Sequence, residues 1–120
     1  MRQASLYGNR DVRVESADPQ PLEADDIRVK VETCGICGTD LHEYLGGPIF
    51  IPDDEPHPRT GKQLPLTLGH EFSGVVTEVG ETVDRLAEGD RVVVEPNIPC
   101  HDCLYCEEGS YNLCENASAI

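Results

Sequence analysis

Four cysteines in the last third of the chain, Cys100, Cys103, Cys106 and Cys114, are spaced C-x2-C-x2-C-x7-C. Gaps of two residues let neighbouring thiolates turn toward one ion. A fourth thiolate then completes a tetrahedron of soft ligands, the coordination of a closed structural zinc site. Two other chemistries compete for these residues. The six cysteines of the chain could pair as disulfides, but the tight cluster and the absence of a secretory leader favour a metal. An iron–sulfur run of the bacterial ferredoxin kind places its fourth cysteine after about three residues and before a proline. Here the gap is seven and Glu115 follows, so zinc is favoured. His101, between two of the ligands, reads as a surface residue of the loop and not as a fifth ligand.

A second group is scattered. Cys37 lies in Cys34-Gly35-Ile36-Cys37-Gly38-Thr39-Asp40, and His70 and Glu71 lie in Gly69-His70-Glu71-Phe72-Ser73-Gly74. Thiolate, imidazole and carboxylate suit a first-row metal, and three protein ligands plus an exchangeable position describe a catalytic zinc site. On chemistry alone the signal is weak. A lone cysteine is more often a small buried hydrophobe, and a lone histidine is more often a hydrogen-bonded one. His70-Glu71 is not H-E-x-x-H, so a metalloprotease is not indicated.

The elements that must position these groups read mainly as strands. Asp11–Glu15 alternates polar and apolar, and Ile27–Glu32 alternates strictly. Ile27, Val29 and Val31 are expected to face a core, with Arg28, Lys30 and Glu32 in water. Gly8-Asn9 marks a turn between the first two strands, and Ser16–Asp26 a connecting loop. Thr39–Leu45 reads as a short helix, capped by Asp40 with Glu43 reaching back and ended by Gly46-Gly47. Thr39 and His42, three apart, can share one face of it. Pro48–Pro65 holds five of the nine prolines and reads as a long loop, of the kind that is functional or mobile. Phe72–Val79 and Arg91–Glu95 are strand-like again. Many short strands with one short helix point to a small barrel or sandwich.

Composition narrows the function. The chain has 120 residues, the length of one domain. Nine Lys and Arg stand against 23 Asp and Glu, a formal charge of -14. That balance argues against a nucleic-acid binder, which needs clustered Lys and Arg on phosphates. It argues equally against anionic lipid. No apolar run is long enough to span a membrane, so the expectation is a soluble, cytoplasmic protein. Lys30 and Lys62 are the only lysines. An acidic, lysine-poor surface is the composition of a halophilic, salt-adapted protein.

Cys37-Gly38-Thr39-Asp40, then Gly69-His70-Glu71-x-x-Gly74 running on to Gly80 and Val83, then the four-cysteine loop, occur in the order and spacing of the zinc-dependent medium-chain dehydrogenase/reductase (alcohol dehydrogenase) family. The chain resembles that family over essentially its whole length. The text from Leu41 to Pro52 and from Thr67 to Gly74 looks most like its butanediol dehydrogenase branch, with polyol and threonine dehydrogenases as near neighbours. The resemblance implies a mainly β, GroES-like partly open barrel with one or two short helices and a zinc-binding cysteine loop. It implies that Cys37 and His70 are catalytic zinc ligands and that Glu71 is an exchanging or outer ligand. Thr39 would hydrogen-bond the substrate hydroxyl, His42 would pass its proton toward solvent, and Asp40 would orient or balance the zinc site. Cys34 receives no role and is expected to be a buried structural thiol.

The implied activity is hydride transfer between a small secondary alcohol, such as a vicinal diol, and NAD or NADP. No G-x-G-x-x-G follows a strand here. Residues 1–120 are therefore expected to be the N-terminal catalytic domain of a longer, homo-oligomeric enzyme, inactive alone, whose nucleotide-binding domain and remaining zinc ligand lie elsewhere. A free-standing zinc-binding module is the alternative of another class. Thr39 and His42 speak against it, because a scaffold needs no proton relay. Cys37 and the cysteine loop speak against a zinc-free quinone reductase.

Overall fold

The computed structural model describes residues 1–119, with side chains through Ser118. Strands β1 (Arg2–Gly8) and β2 (Asp11–Ser16) form an antiparallel hairpin, and β1 pairs on its other edge with the short β4 (Leu66–Thr67). The turn at Gly8-Asn9 is where the residue types place it. Arg10 follows it in a left-handed conformation (φ 59°), and its N–H donates to Tyr44 O at 2.8 Å. The Asn9 side chain faces the Tyr44 and Leu45 carbonyls. The hairpin therefore packs on the C-terminal end of the helix α1 (Gly38–Gly46).

A second antiparallel sheet runs β3 (Ile27–Cys34), β5 (Phe72–Val79), β6 (Arg91–Val93). A third is a two-residue ladder between β7 (Asn97–Ile98) and β8 (Ser118–Ala119). Between these last strands lie a one-turn helix, α2 (Leu104–Glu107), and a 3-10 turn at Tyr111–Leu113. The fold is mainly β, assembled from small antiparallel sheets, as the alternating segments require. No helix among the described residues is long and apolar enough to cross a membrane.

The core is thin. Leu6 of β1 and Val76 of β5 are its largest fully buried side chains among the described residues. Ile36, Phe50 and Val93 lie largely in solvent.

Two local expectations are corrected. Val31 does not face the core but is half exposed. The β3–β5 register slips at Arg28/Val29 and again at Val31/Thr33, and each irregularity breaks the strict alternation from which the facing was read. The helix also starts earlier than expected. Cys37, in extended backbone, is its N-cap. Asp40 sits in the first turn and accepts the Cys37 N–H through Oδ2 at 3.2 Å. Glu43 does not reach back to the cap but turns into the interior.

The segment from Pro48 to Pro65 has no regular element, yet it is tied down. The His57 N–H donates to Lys62 O and Leu64 N–H to Pro52 O. His57 Nδ1 accepts the N–H groups of Arg59 and Thr60 at 3.3 and 3.4 Å.

Candidate functional site

The four cysteines of the C-terminal lobe converge as their spacing predicts. Their sulfurs all lie within 4.8 Å of one another, with Cys100 Sγ and Cys106 Sγ 4.0 Å apart. In a zinc tetrathiolate with bonds near 2.3 Å, the sulfurs stand about 3.8 Å apart. The donor set and the cage therefore fit one zinc ion. A disulfide needs about 2.05 Å between sulfurs, and all six cysteines are free. A multi-iron cluster would spread its thiolates around several metals, wider than this cage. His101 lies on the surface in a left-handed conformation (φ 62°).

Local hydrogen bonding lowers the pKa of two of the four thiols. Backbone N–H groups of Glu115 and Cys106 hold Cys103 down to about 6. Burial works to raise Cys114, but the backbone N–H groups of Cys100 and Asn116 outweigh it and lower it. The side chain of Asp102 instead pushes Cys100 up to about 12. A divalent cation would displace the remaining protons.

The second group converges through the β3–β5 ladder. Cys34, the last residue of β3, is opposite Phe72, the first of β5. The residues just after β3 and just before β5 must then be neighbours, and Gly35 N–H donates to Glu71 O at 2.8 Å. The ligand atoms of Cys37, His70 and Glu71 lie within 4.8 Å of one another. Cys37 and His70 are partly buried and Glu71 is exposed. Asp40 touches both ligand-bearing segments: Oδ2 takes the Cys37 N–H, and Oδ1 stands 3.6 Å from His70 Nδ1. Thr39 Oγ1 is 3.3 Å from His70 Nε2. Thr39 and His42 share the helix, but no hydrogen bond joins them among the described residues; Thr39 turns to His70 instead. A thiolate, an imidazole and a carboxylate at this separation also fit a single zinc ion, with coordination left for a further ligand. An open cleft of about 340 Å³ adjoins His70 and Glu71, walled by Thr33, Phe72, Ser73 and Val93.

Cys34 departs from expectation. It is exposed, because it ends an edge strand, and its sulfur lies against Gly69. A Cβ on Gly69 would come within 2.8 Å of that sulfur, and Gly69 is left-handed (φ 105°). Gly69 is what lets the His70 segment pass so close to β3.

One group of the site was not legible in advance. Glu43, only 4% exposed, accepts the N–H groups of Ile49 at 3.0 Å, Ile51 at 3.1 Å and Phe50. A buried carboxylate held by three consecutive amides fixes the turn that leaves the helix bearing Thr39, Asp40 and His42. A Cβ at Gly47 would stand 2.6 Å from Glu43 Oε2 and 2.5 Å from its carbonyl oxygen. The pairing of Glu43 with Gly47 four residues on is the available signal, whereas the capping pattern points the carboxylate back to the helix start.

A small-sheet β fold carrying a four-cysteine lobe and a Cys-His-Glu cluster defines a class that comparison with known proteins bears out. The family model of the alcohol dehydrogenase GroES-like domain matches residues 23–120, and the chain belongs to that family. It is 51% identical over 115 residues to the (R,R)-butanediol dehydrogenase of Bacillus subtilis (strain 168), covering 96% of this chain and 32% of that protein. The crystal structure of 2R,3R-butanediol dehydrogenase from Bacillus subtilis superposes with a TM-score of 0.89 at 49% identity, over 99% of this chain and 33% of that one. An alcohol dehydrogenase of E. coli CFT073, complexed with the cofactor NADH, superposes with a TM-score of 0.78 at 30% identity, over 100% of this chain and 32% of that one. The chain spans about a third of the length of the relatives it matches.

Proposed function

We propose that residues 1–120 form the N-terminal catalytic domain of a zinc-dependent oxidoreductase that moves a hydride between a secondary alcohol and a nicotinamide cofactor. A vicinal diol such as butanediol is the substrate class, by similarity to the butanediol dehydrogenases. The observation that carries this reading is the convergence of Cys37, His70 and Glu71 beside an open cleft, with Asp40 bridging the two ligand-bearing segments. A zinc ion held there would supply a Lewis acid for the alcohol oxygen, and a nicotinamide cofactor would supply the hydride acceptor.

The residues of this chain do the positioning and the proton handling. Cys37 and His70 would hold the metal, and Glu71, exposed beside them, would be an exchanging or outer ligand. Asp40 faces His70 Nδ1 and leaves Nε2 for the metal, the outer-shell arrangement that sets a tautomer. Thr39 Oγ1, beside that ring, is placed to bond the substrate hydroxyl. His42, exposed on the same helix, carries the released proton to solvent. The four-cysteine lobe would hold a second, structural zinc. Six unpaired thiols support a reducing, cytoplasmic setting. The working enzyme is a homo-oligomer, and its acidic, lysine-poor surface is a salt adaptation.

Steady-state kinetics of the full-length enzyme test this reading. Oxidation of a vicinal diol with NAD or NADP is expected, and none by residues 1–120 alone. Cys37→Ser should abolish turnover. His42→Ala should slow it by roughly 10²-fold, the usual contribution of one acid–base group, because water partly replaces a relay. Better turnover of a polyol or of threonine would move the substrate class, and equal total loss in both variants would remove the relay.

A further inference from the structure

The cysteine lobe is strongly negative. Glu95, Asp102, Glu107, Glu108 and Glu115 lie in or beside it, and no Lys or Arg occurs beyond Arg91. A zinc ion on four thiolates adds two further negative charges. The two chain segments that enter and leave the lobe are held by the β7–β8 ladder, which among the described residues pairs Asn97 with Ala119 and Ile98 with Ser118. A short ladder is the kind of element that opens locally at low free energy, and such opening would give a bound metal a route out.

One cation reaches the lobe, and it comes from a distant segment. Arg59, in the proline-rich loop, donates from Nη1 to Ile98 O at 3.4 Å and to Asn116 O, and from Nη2 to Pro99 O at 3.1 Å. Ile98 and Pro99 run directly into Cys100, and Asn116 stands two residues past Cys114. A single guanidinium thus ties the entering strand to the leaving strand at the mouth of the metal cage. No other Lys or Arg bonds to this lobe among the described residues. The turn that presents Arg59 is itself ordered by His57 Nδ1, which accepts the Arg59 and Thr60 N–H groups.

We propose that Arg59 is a positioning residue for the structural zinc, a clamp that holds the cysteine lobe shut and slows metal loss. The inference rests on the reading of Cys100, Cys103, Cys106 and Cys114 as the zinc site. The planar fork of arginine can bond both segments at once, whereas the ammonium of lysine is a point donor. The clamp acts on opening of the lobe and not on the zinc–sulfur bonds.

Zinc transfer to an excess of a chromogenic chelator, followed in the purified protein, tests it. Metal content after dialysis comes first, because a wild type without firmly held zinc overturns the zinc reading and the clamp with it. With zinc in place, Arg59→Met should release it about tenfold faster, the kinetic equivalent of one charge-assisted hydrogen bond. Arg59→Lys should fall between Arg59→Met and wild type. The ligand-field spectrum of the cobalt-substituted protein should be unchanged in both, because the four sulfurs are untouched. Equal release rates in wild type and Arg59→Met overturn the clamp while leaving the zinc reading intact. Full wild-type behaviour in Arg59→Lys also overturns it, since charge alone would then suffice. A changed cobalt spectrum would reassign the effect to the coordination sphere and overturn it as well.

Discussion

Cys100, Cys103, Cys106 and Cys114 come from one stretch of chain, closed by two residue pairs of β7 and β8. Cys37 and His70 come from either side of the β3–β5 ladder and meet only because Cys34 is in register with Phe72. The first cage has four sulfurs and no place left for another ligand. The second has a sulfur, an imidazole and an exposed carboxylate beside a cleft. Closure by local sequence suits a metal that must stay. Assembly by tertiary pairing, with one ligand in water, suits a metal that must exchange a ligand. The difference between the two sites is therefore one of contact order as well as of donor type.

The largest expected effect separates the two directly. Cys103→Ser should lose the dialysis-resistant zinc and unfold the lobe, because structural zinc in small domains contributes about 10 kcal/mol or more of apparent folding free energy. Cys37→Ser should keep that ion. Elemental analysis after dialysis and the thermal midpoint read both variants. Loss of the firmly held zinc in Cys37→Ser would break the comparison.

Next in size is the tertiary anchor beside the second site. Glu43→Ala strands the N–H groups of Ile49, Phe50 and Ile51, at about 1 kcal/mol or more each. A loss of about 2–4 kcal/mol is expected in denaturant unfolding with zinc saturating. Glu43→Gln, which keeps one accepting oxygen, should lose about half as much. Zinc release from the cysteine lobe should not change in either, since Glu43 does not touch it. Unchanged stability in Glu43→Ala would mean that water replaces the carboxylate without cost.

Salt should act on the whole surface and on neither cage in particular. A charge of -14 over 120 residues repels itself, and the Debye length falls from about 30 Å at 0.01 M to about 3 Å at 1 M. The unfolding midpoint should rise steadily from low to molar potassium chloride, with zinc saturating. A flat midpoint would remove the salt-adapted reading and leave the two sites as they are.

The smallest effect is a local titration on the β1–β2 hairpin. Tyr7 OH donates to Glu15 Oε1 at 2.6 Å, and this bond, with a small burial contribution, raises the phenol above its ordinary value of 10.0. A raised folded value means stability that is fully present below pH 10 and is lost as pH climbs through the folded value. Phenolate absorbance in Glu15→Gln should therefore titrate at lower pH than in wild type. The same titration in both would show that the bond does not persist in solution.

Strand β5 is observed as Phe72–Val79, the strand-like segment expected there. The helix, Gly38–Gly46, extends one residue beyond the expected Thr39–Leu45 at each end. The errors lie where a residue's partner is distant in sequence. Val31 was assigned inward because alternation assumes an unbroken register. Cys34 was assigned to the core because its type favours burial, yet it ends an edge strand. Asp40 and Glu43 were matched to each other by capping rules, whereas Asp40 serves Cys37 and His70, and Glu43 serves the amides of the loop that follows.

Local spacing by itself determined the four-cysteine cage, because two-residue gaps leave a chain few ways to place its sulfurs other than around one ion. It also determined the strand-rich fold, because a period of two is a property of neighbouring residues. Tertiary structure decided the rest. Register across β3 and β5 brought His70 to Cys37. The absence of a side chain at Gly69 allowed the close passage. The path of the proline-rich loop carried Arg59 to the mouth of the cysteine lobe. Each of these joins residues far apart along the chain, and such contacts depend on the packing of whole elements, which no local pattern of residue types encodes.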